Sequence, residues 1–532
     1  MFFCCSLVGA EEANDDQFVE LVDALNVKNF AQKELAINAL SEIDHPGTPR
    51  ILEALLEGKL YYLKSTKKVY PIEKDGDIFR VYNVVGNELV DEKERWDLKK
   101  ISINNQLRGV IKQKLAQQDV MSADESVRTD AVRAIIENPS PAAIKLLRQA
   151  IDTEQVKNIK ELMGTAIGLI DMLPINDKQT RLQSIDALSN SLSSEVRAKL
   201  LSLVEKDSSG NYLEQDEDVV DAARKALDKI ETQLKFYGFI EKLFFGLSLG
   251  SVLLLAAIGL AITFGVMGVI NMAHGELIML GAYTTYVVQL MMPNYIEYSL
   301  LVAVPLAFLV TALVGILIER GVIQFLYGRP LETLLATFGI SLILQQLVRT
   351  IFSPLNRSVE TPDWMSGSMV LNGALSITYN RLYIIIFGLL VFALLIFILK
   401  KTALGLQVRA VSQNRAMARA MGVRSGRVDA LTFGLGSGIA GIAGVALSQL
   451  TNVGPNMGQA YIIDSFMVVV FGGVANLWGT LVGAMSLGIV NKFLEPWAGA
   501  VLAKILVLVA IILFIQKKPR GLFPQKGRAA EH

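Results

Sequence analysis

Residues 246–283 read GLSLGSVLLLAAIGLAITFGVMGVINMAHGELIMLGAY, and few folds accommodate such a stretch. An apolar run of roughly twenty residues, long enough to span a bilayer, leads into a polar cluster of Asn271, His274 and Glu276, and a second apolar run follows at once. Hydrocarbon tolerates ionisable groups poorly, so such a group near membrane depth faces a pathway or the interior of a helix bundle. The pattern predicts a channel or transporter rather than a lipid anchor.

The chain divides into two halves of opposite charge. Residues 239–532 carry 20 Lys/Arg against 11 Asp/Glu, a net of +9, whereas residues 1–238 carry 31 against 40, a net of −9. Mean hydropathy is +0.40 over 532 residues, too apolar for an ordinary soluble protein, so the acidic half is polar and the basic half is membrane-embedded. A basic stripe can serve nucleic acid. Here the basic residues lie between apolar spans, so topology accounts for them and no nucleic acid partner is expected.

Apolar segments near 243–266, 274–292, 299–318, 331–352, 382–400, 430–450, 461–476, 479–494 and 498–515 predict about eight to nine spans. The connection at 400–429 holds Lys400, Lys401, Arg409, Arg415, Arg419, Arg424 and Arg427 against Asp429 alone, and the tail holds Lys517, Lys518, Arg520, Lys526 and Arg528. Cytoplasmic loops carry the excess of Lys and Arg. Both segments are therefore expected inside, and counting spans back places residue 238 outside. The first ten residues, MFFCCSLVGA, end in the small-residue spacing a signal peptidase accepts; they read as the remnant of a secretory signal or as a frayed terminus. Cys4 and Cys5 are the only cysteines, so a mature chain lacking this segment would have no disulfide, thiolate metal site or catalytic thiol.

Within 11–238, caps precede apolar stripes three times: at 124–128 before Ala131, Val132, Ile135 and Ile136; at 194–197 before Leu200, Leu201 and Val204; and at 216–220 before Ala223 and Leu227. The first two Val-Arg pairs stand 69 residues apart, about two units of a HEAT-sized repeat. Residues 60–90 are rich in aromatic and β-branched residues around Asp75-Gly76, a hairpin signal. The expected architecture is all-α: a signal remnant at 1–10, an exported HEAT-like α-solenoid with a small β-hairpin insertion at 11–238, a polytopic membrane helix bundle at 239–516 and a cytoplasmic tail at 517–532. No metal-ligand spacing occurs in the polar half, where His45 precedes Pro46 in an expected turn. A docking module fits that half better than an enzyme.

The 400–429 loop reads as a short basic helix over 413–421, capped by Ser412 and stopped by Gly422, with Ser425 capping the next helix. Such a helix either docks into a groove of a cytosolic partner, with Met417 and Met421 as adaptable apolar contacts, or meets anionic membrane lipid through Arg409, Arg415 and Arg419. No G-x-x-x-x-G-K-[ST] occurs, so ATP is not bound through a Walker A loop. Two further motifs match by spelling only, a nucleophile elbow at 246–250 and a dinucleotide fingerprint at 436–441; both lie at membrane depth without their structural context. Gly434 and Gly438 are four apart, as are Ala440 and Gly444, and small residues so spaced let helices approach closely. No catalytic residue, cofactor or metal is expected.

Gly265, Gly268 and Gly275 flank Asn271, His274 and Glu276, so the helix is expected to break there. Broken helices at membrane depth line substrate routes, which makes the cluster either part of a pathway or gate, or a polar cap at a helix boundary. His274 is the only histidine in 239–516, which argues against a His-based metal site. Asp464 is a further pathway candidate, and Lys492, Glu495 and Lys504 lie near expected span ends, where Lys can snorkel.

With these residues in place, GVMGVINMAHGELIMLGAY at 265–283 and ALGLQVRAVSQNRAMARAMGV at 403–423 resemble the permeases of branched-chain amino acid and urea ABC importers. The resemblance covers about 239–525. The helical extension at 11–238 departs from the amino acid permeases and is similar to a urea permease that carries one. Membership implies a second homologous permease, two cytosolic ATP-binding subunits and a periplasmic solute-binding protein, at the bacterial inner membrane. The expected function is inward passage of urea or a related short amide; the alternatives are a branched-chain amino acid permease of the same design and a membrane signalling receptor.

Overall fold

The computed structural model describes residues 5–523 apart from 44, 76–77, 95–96 and 475. Residues 1–4 of the expected signal remnant, with Cys4, and the tail residues Lys526 and Arg528 lie outside the described residues. The chain forms two compact units, one ending at Gln233 and the next beginning at Leu234.

The first unit holds α1 (Cys5–Ala24), α2 (Phe30–Glu42) and α3 (Thr48–Glu57), then strands β1 (Leu60–Leu63), β2 (Val69–Asp75), β3 (Ile78–Tyr82), β4 (Leu89–Glu94) and β5 (Leu98–Lys100). Six helices follow: α4 (Asn105–Asp119), α5 (Glu125–Glu137), α6 (Ile144–Thr153), α7 (Lys157–Asp171), α8 (Lys178–Ala187) and α9 (Ser194–Leu203). At the starts of α2, α4, α5, α8 and α9 a side-chain oxygen takes up a free N–H group. Asp124 accepts from Ser126 N at 2.8 Å ahead of α5, and Ser193 rather than Ser194 caps α9. The stripe Ala131, Val132, Ile135 and Ile136 is the buried face of α5. Near the chain start, His45 is buried, stacked on Phe18 with centroids 3.8 Å apart. Its Nε2 lies 3.0 Å from Asp15 Oδ1.

The hairpin expected around Asp75-Gly76 is β2–β3, with Ile72 opposite Val81. It is larger than a hairpin insertion, for it belongs to a five-stranded antiparallel sheet ordered β4-β3-β2-β1-β5. Strand β4 reads LVDEKE and has no apolar alternation. It sits at the sheet edge, where charged side chains discourage pairing with another chain.

The second unit is a helix bundle. Its helices are α10 (Glu217–Met267), whose first turns precede the unit boundary, α11 (His274–Met291), α12 (Ile296–Gly321), α13 (Pro330–Phe352) and α14 (Tyr379–Lys401), with a two-stranded pair β6 (Ser368–Asn372) and β7 (Leu375–Thr378) ahead of α14. Two short helices, α15 (Ala403–Gln413) and α16 (Arg415–Ala420), precede α17 (Ser425–Ser448), α18 (Met457–Gly472) and α19 (Leu477–Lys517). Six helical stretches among the described residues are long and apolar enough to cross a membrane, fewer than the eight to nine expected. Three causes account for the difference. His274 and Glu276 dilute the hydropathy of α11, α18 has only 16 residues, and the last two expected spans form one element broken at Gly499, whose φ is 75°. Helix α17 packs chiefly on α12 and α11, and α18 on α19 and α11. The core of this unit is continuous and apolar, running through Leu254, Ile278, Phe433 and Val468.

Candidate transport route and coupling loop

Helix α10 stops at Met267, Gly268 takes a φ of 68° and α11 starts at His274. A side chain at Gly268 would be strained in that left-handed conformation, so glycine permits the break. Asn271 closes it: its Oδ1 accepts from Ala273 N at 3.0 Å. Met272 N donates to Thr337 Oγ1 at 3.1 Å, tying the break to α13.

All three cluster residues are sealed from solvent: Asn271 is 1% exposed, His274 0% and Glu276 1%. His274 Nε2 lies 2.8 Å from Ala256 O, which makes Nε2 the protonated nitrogen because a carbonyl only accepts. Glu276 Oε1 accepts from Ser341 Oγ at 3.0 Å and from Gln345 Nε2 at 2.6 Å. Each residue also keeps one buried polar atom without a partner: Asn271 Nδ2, His274 Nδ1 and Glu276 Oε2. The cluster therefore holds the helix boundary together and still offers a donor and two acceptors at membrane depth.

Thr333, Thr337, Ser341 and Gln345 form a buried polar stripe on α13. They recur at four-residue intervals on one helical face, and three of them, Thr337, Ser341 and Gln345, bond the break or Glu276. Sequence reading passed over them inside an apolar run; polar residues at i, i+4, i+8 and i+12 were the available signal. Asp464 is not joined to the cluster. It sits on α18, where its Oδ2 accepts from Lys504 Nζ at 2.9 Å.

The 400–429 loop folds differently from expectation. Ser412 lies inside α15, and Asn414 caps α16, its Oδ1 accepting from Met417 N at 3.0 Å. Gly422 follows α16 with a φ of 86°. Ser425 does not cap α17; its Oγ accepts from Arg419 Nε at 2.7 Å. Arg409 donates to the carbonyl of Leu399. Arg415 donates to both oxygens of Asp429, at 2.7 and 2.9 Å, with its guanidinium 4.4 Å from the Tyr327 ring centroid. Arg415 thereby fastens the loop to the bundle, whereas Arg409 and Arg419 remain exposed. Met417 and Met421 do project, at 61% and 79% exposure.

Gly434 and Gly438 lie against Ile316 and Phe308 of α12, and Gly444 lies against the backbone of α11 at Ile278 and Ala282. A Cβ at Gly444 would overlap the Ile278 carbonyl oxygen, so only glycine fits there.

A bundle of membrane-length helices, broken at a buried polar cluster and carrying a short exposed helix between two spans, defines a multi-pass membrane permease. The family described as "Branched-chain amino acid transport system / permease component" matches residues 242–515, and the chain belongs to it. The chain is similar to the high-affinity branched-chain amino acid transport system permease protein LivH of Escherichia coli (strain K12), 30% identical over 298 residues that are 54% of this chain and 96% of LivH. It is 28% identical to BraD of Pseudomonas aeruginosa, a permease protein of the same description, over 54% of this chain and 96% of that one. A more distant similarity, 26% over 52% of this chain and 84% of the relative, is to the ribose import permease protein RbsC of Escherichia coli (strain K12). No solved structure matches significantly.

Proposed function

We propose that the second unit is the membrane-embedded permease of an ATP-driven importer whose cargo is a branched-chain amino acid. The family match over 242–515 carries this reading, and the relatives LivH and BraD are described as branched-chain amino acid permeases. The work comes from two cytosolic ATP-binding subunits at the 400–429 loop. A second homologous permease completes the route, and a periplasmic solute-binding protein delivers the solute. Family membership leaves the signalling-receptor alternative without support.

The polar cluster is the candidate route, with Asn271, His274 and Glu276 offering their unused atoms to a solute. Helix α11 counts as a crossing, since 18 residues rise about 27 Å, close to the hydrocarbon thickness. Five crossings then separate the basic loop from the first unit. With the loop in the cytoplasm, the HEAT-like first unit is exported.

One observation favours urea as a second cargo. The residues before 242 lie outside the family match, and such an exported extension is the feature that resembles a urea permease. Uptake of labelled leucine, isoleucine, valine and urea by proteoliposomes containing the whole complex separates the two. Accumulation of urea alone would replace the amino acid reading, and ATP-independent or absent uptake of all four would remove the importer.

A further inference from the structure

A cavity of about 250 Å³ lies in the second unit, away from the break between α10 and α11. Arg381 enters it from the first turn of α14, Asp464 from α18, and Lys492, Glu495 and Lys504 from either side of the break in α19. Leu249 and Leu253 of α10, with Leu447 of α17, supply apolar wall.

Three cations thus share the cavity with two carboxylates. Lys504 bonds Asp464 through Oδ2, and Lys492 pairs with Glu495. Arg381 has no carboxylate within ion-pair distance among the described residues; its guanidinium lies over the Phe245 ring, 4.8 Å from the centroid. Oδ1 of Asp464 carries no hydrogen bond there either, although Asp464 is only 6% exposed. Arg381 is thus the one cation lining this cavity that is outside an ion pair among the described residues, and it shares the cavity with a carboxylate oxygen that accepts no hydrogen bond. A zwitterion with a hydrocarbon side chain meets every requirement at once. Urea meets none of the charge requirements, being neutral.

We propose that this cavity seats a free aliphatic α-amino acid, its carboxylate on Arg381, its ammonium toward Asp464 Oδ1 and its side chain against the leucines. The assignment rests on the amino acid reading above and adds the residues that discriminate. By the orientation proposed there, α14 begins on the exterior side, so the seat receives solute before the broken helix does. The same anionic chemistry at Arg381 could come from a phospholipid headgroup, and the test separates the two sources.

Full-length protein in nanodiscs of phosphatidylcholine is titrated with L-leucine and followed by saturation-transfer NMR. The unmodified chain is expected to bind leucine, with leucinol, 4-methylvalerate and urea each weaker by about tenfold or more, because each lacks at least one charge-assisted partner. Arg381→Gln removes no ion pair and is expected to weaken leucine by about tenfold as well. Equal binding of leucine and leucinol, or of the unmodified protein and Arg381→Gln, would overturn the seat. So would loss of leucine binding in nanodiscs containing phosphatidylglycerol, which would assign the cavity to a lipid headgroup. Failure of the seat leaves leucine uptake by the whole complex in place, whereas failure of the amino acid reading shows as urea-only uptake whatever Arg381 does.

Discussion

Arg415 and Asp429 stand fourteen residues apart and meet in a two-pronged ion pair, 2.7 and 2.9 Å, that fastens the short helix α16 to the start of α17. Asp429 is nearly sealed and Arg415 is about a quarter exposed. Removing one partner from such a pair costs about 3 kcal/mol, at the low end for buried pairs. Arg415→Ala and Asp429→Asn should therefore loosen α16 and speed tryptic cleavage at Arg419 and Arg424. The exchange Arg415→Asp with Asp429→Arg should recover much of the protection. Unchanged cleavage in both single variants would deny the pair its structural role.

The methionines carry a different expectation. Met417 and Met421 project from the loop, and each buried thioether side chain contributes about 1.5 kcal/mol or more to an interface. Met417→Ser with Met421→Ser should weaken capture of the ATP-binding subunits about tenfold or more while span assembly is unchanged. Capture at full strength would move the docking surface elsewhere.

For the polar cluster, Glu276→Leu should be worse than Glu276→Gln. Leucine strands Ser341 and Gln345 without their acceptor, at about 1–3 kcal/mol for each orphaned group, whereas glutamine keeps an oxygen that can accept from both, as Glu276 Oε1 does. Asn271→Leu removes the bond that closes the break, about 1 kcal/mol by analogy with a lost cap, and should cut uptake while the protein still assembles. Uptake rates normalised to membrane protein level give the comparison; full transport in Asn271→Leu would take that residue out of the route.

Acid should act on the first unit through Glu154. Its carboxylate takes two hydrogen bonds from Arg128, at 2.8 and 3.2 Å, and one from Val156 N at 2.9 Å. The Arg128 bond, then the backbone bond, hold its pKa below the ordinary glutamate range. A pKa lower in the folded state contributes stability above the unfolded value, about 4.3, and that contribution is lost as pH falls through the folded value. Hydrogen exchange of peptides from α5 and α6 should rise below about pH 4, and Glu154→Gln should flatten the dependence. A variant as acid-sensitive as the parent would locate the effect in other groups.

The break between α10 and α11 was legible because glycines and polar residues interrupt a long apolar run, and the cap of α5 because Asp124 sits beside an apolar stripe. At α9 the run of Ser191, Ser193 and Ser194 left the capping residue one position off. Strand β4 was not, since Asp91, Glu92, Lys93 and Glu94 spell a solvated loop unless the sheet edge is known. Thr337, Ser341 and Gln345 each stand alone in an apolar stretch, and averaging hides a stripe that only the helical face reveals. The loop cations misled for a similar reason: an arginine looks solvent-seeking until its partner appears, and Asp429 for Arg415, like Lys504 for Asp464 forty residues on, is invisible to local pattern.

Where Gly281 meets Gly441, Gly259 meets Gly436 and Gly444 meets Ile278, three helices touch main chain to main chain with no side chains between them. Side chains can change rotamer to absorb a sliding neighbour; bare backbone cannot. The trio α10, α11 and α17 is thereby a stiff keel, in which a side chain at any of these glycines would have to push main chain aside.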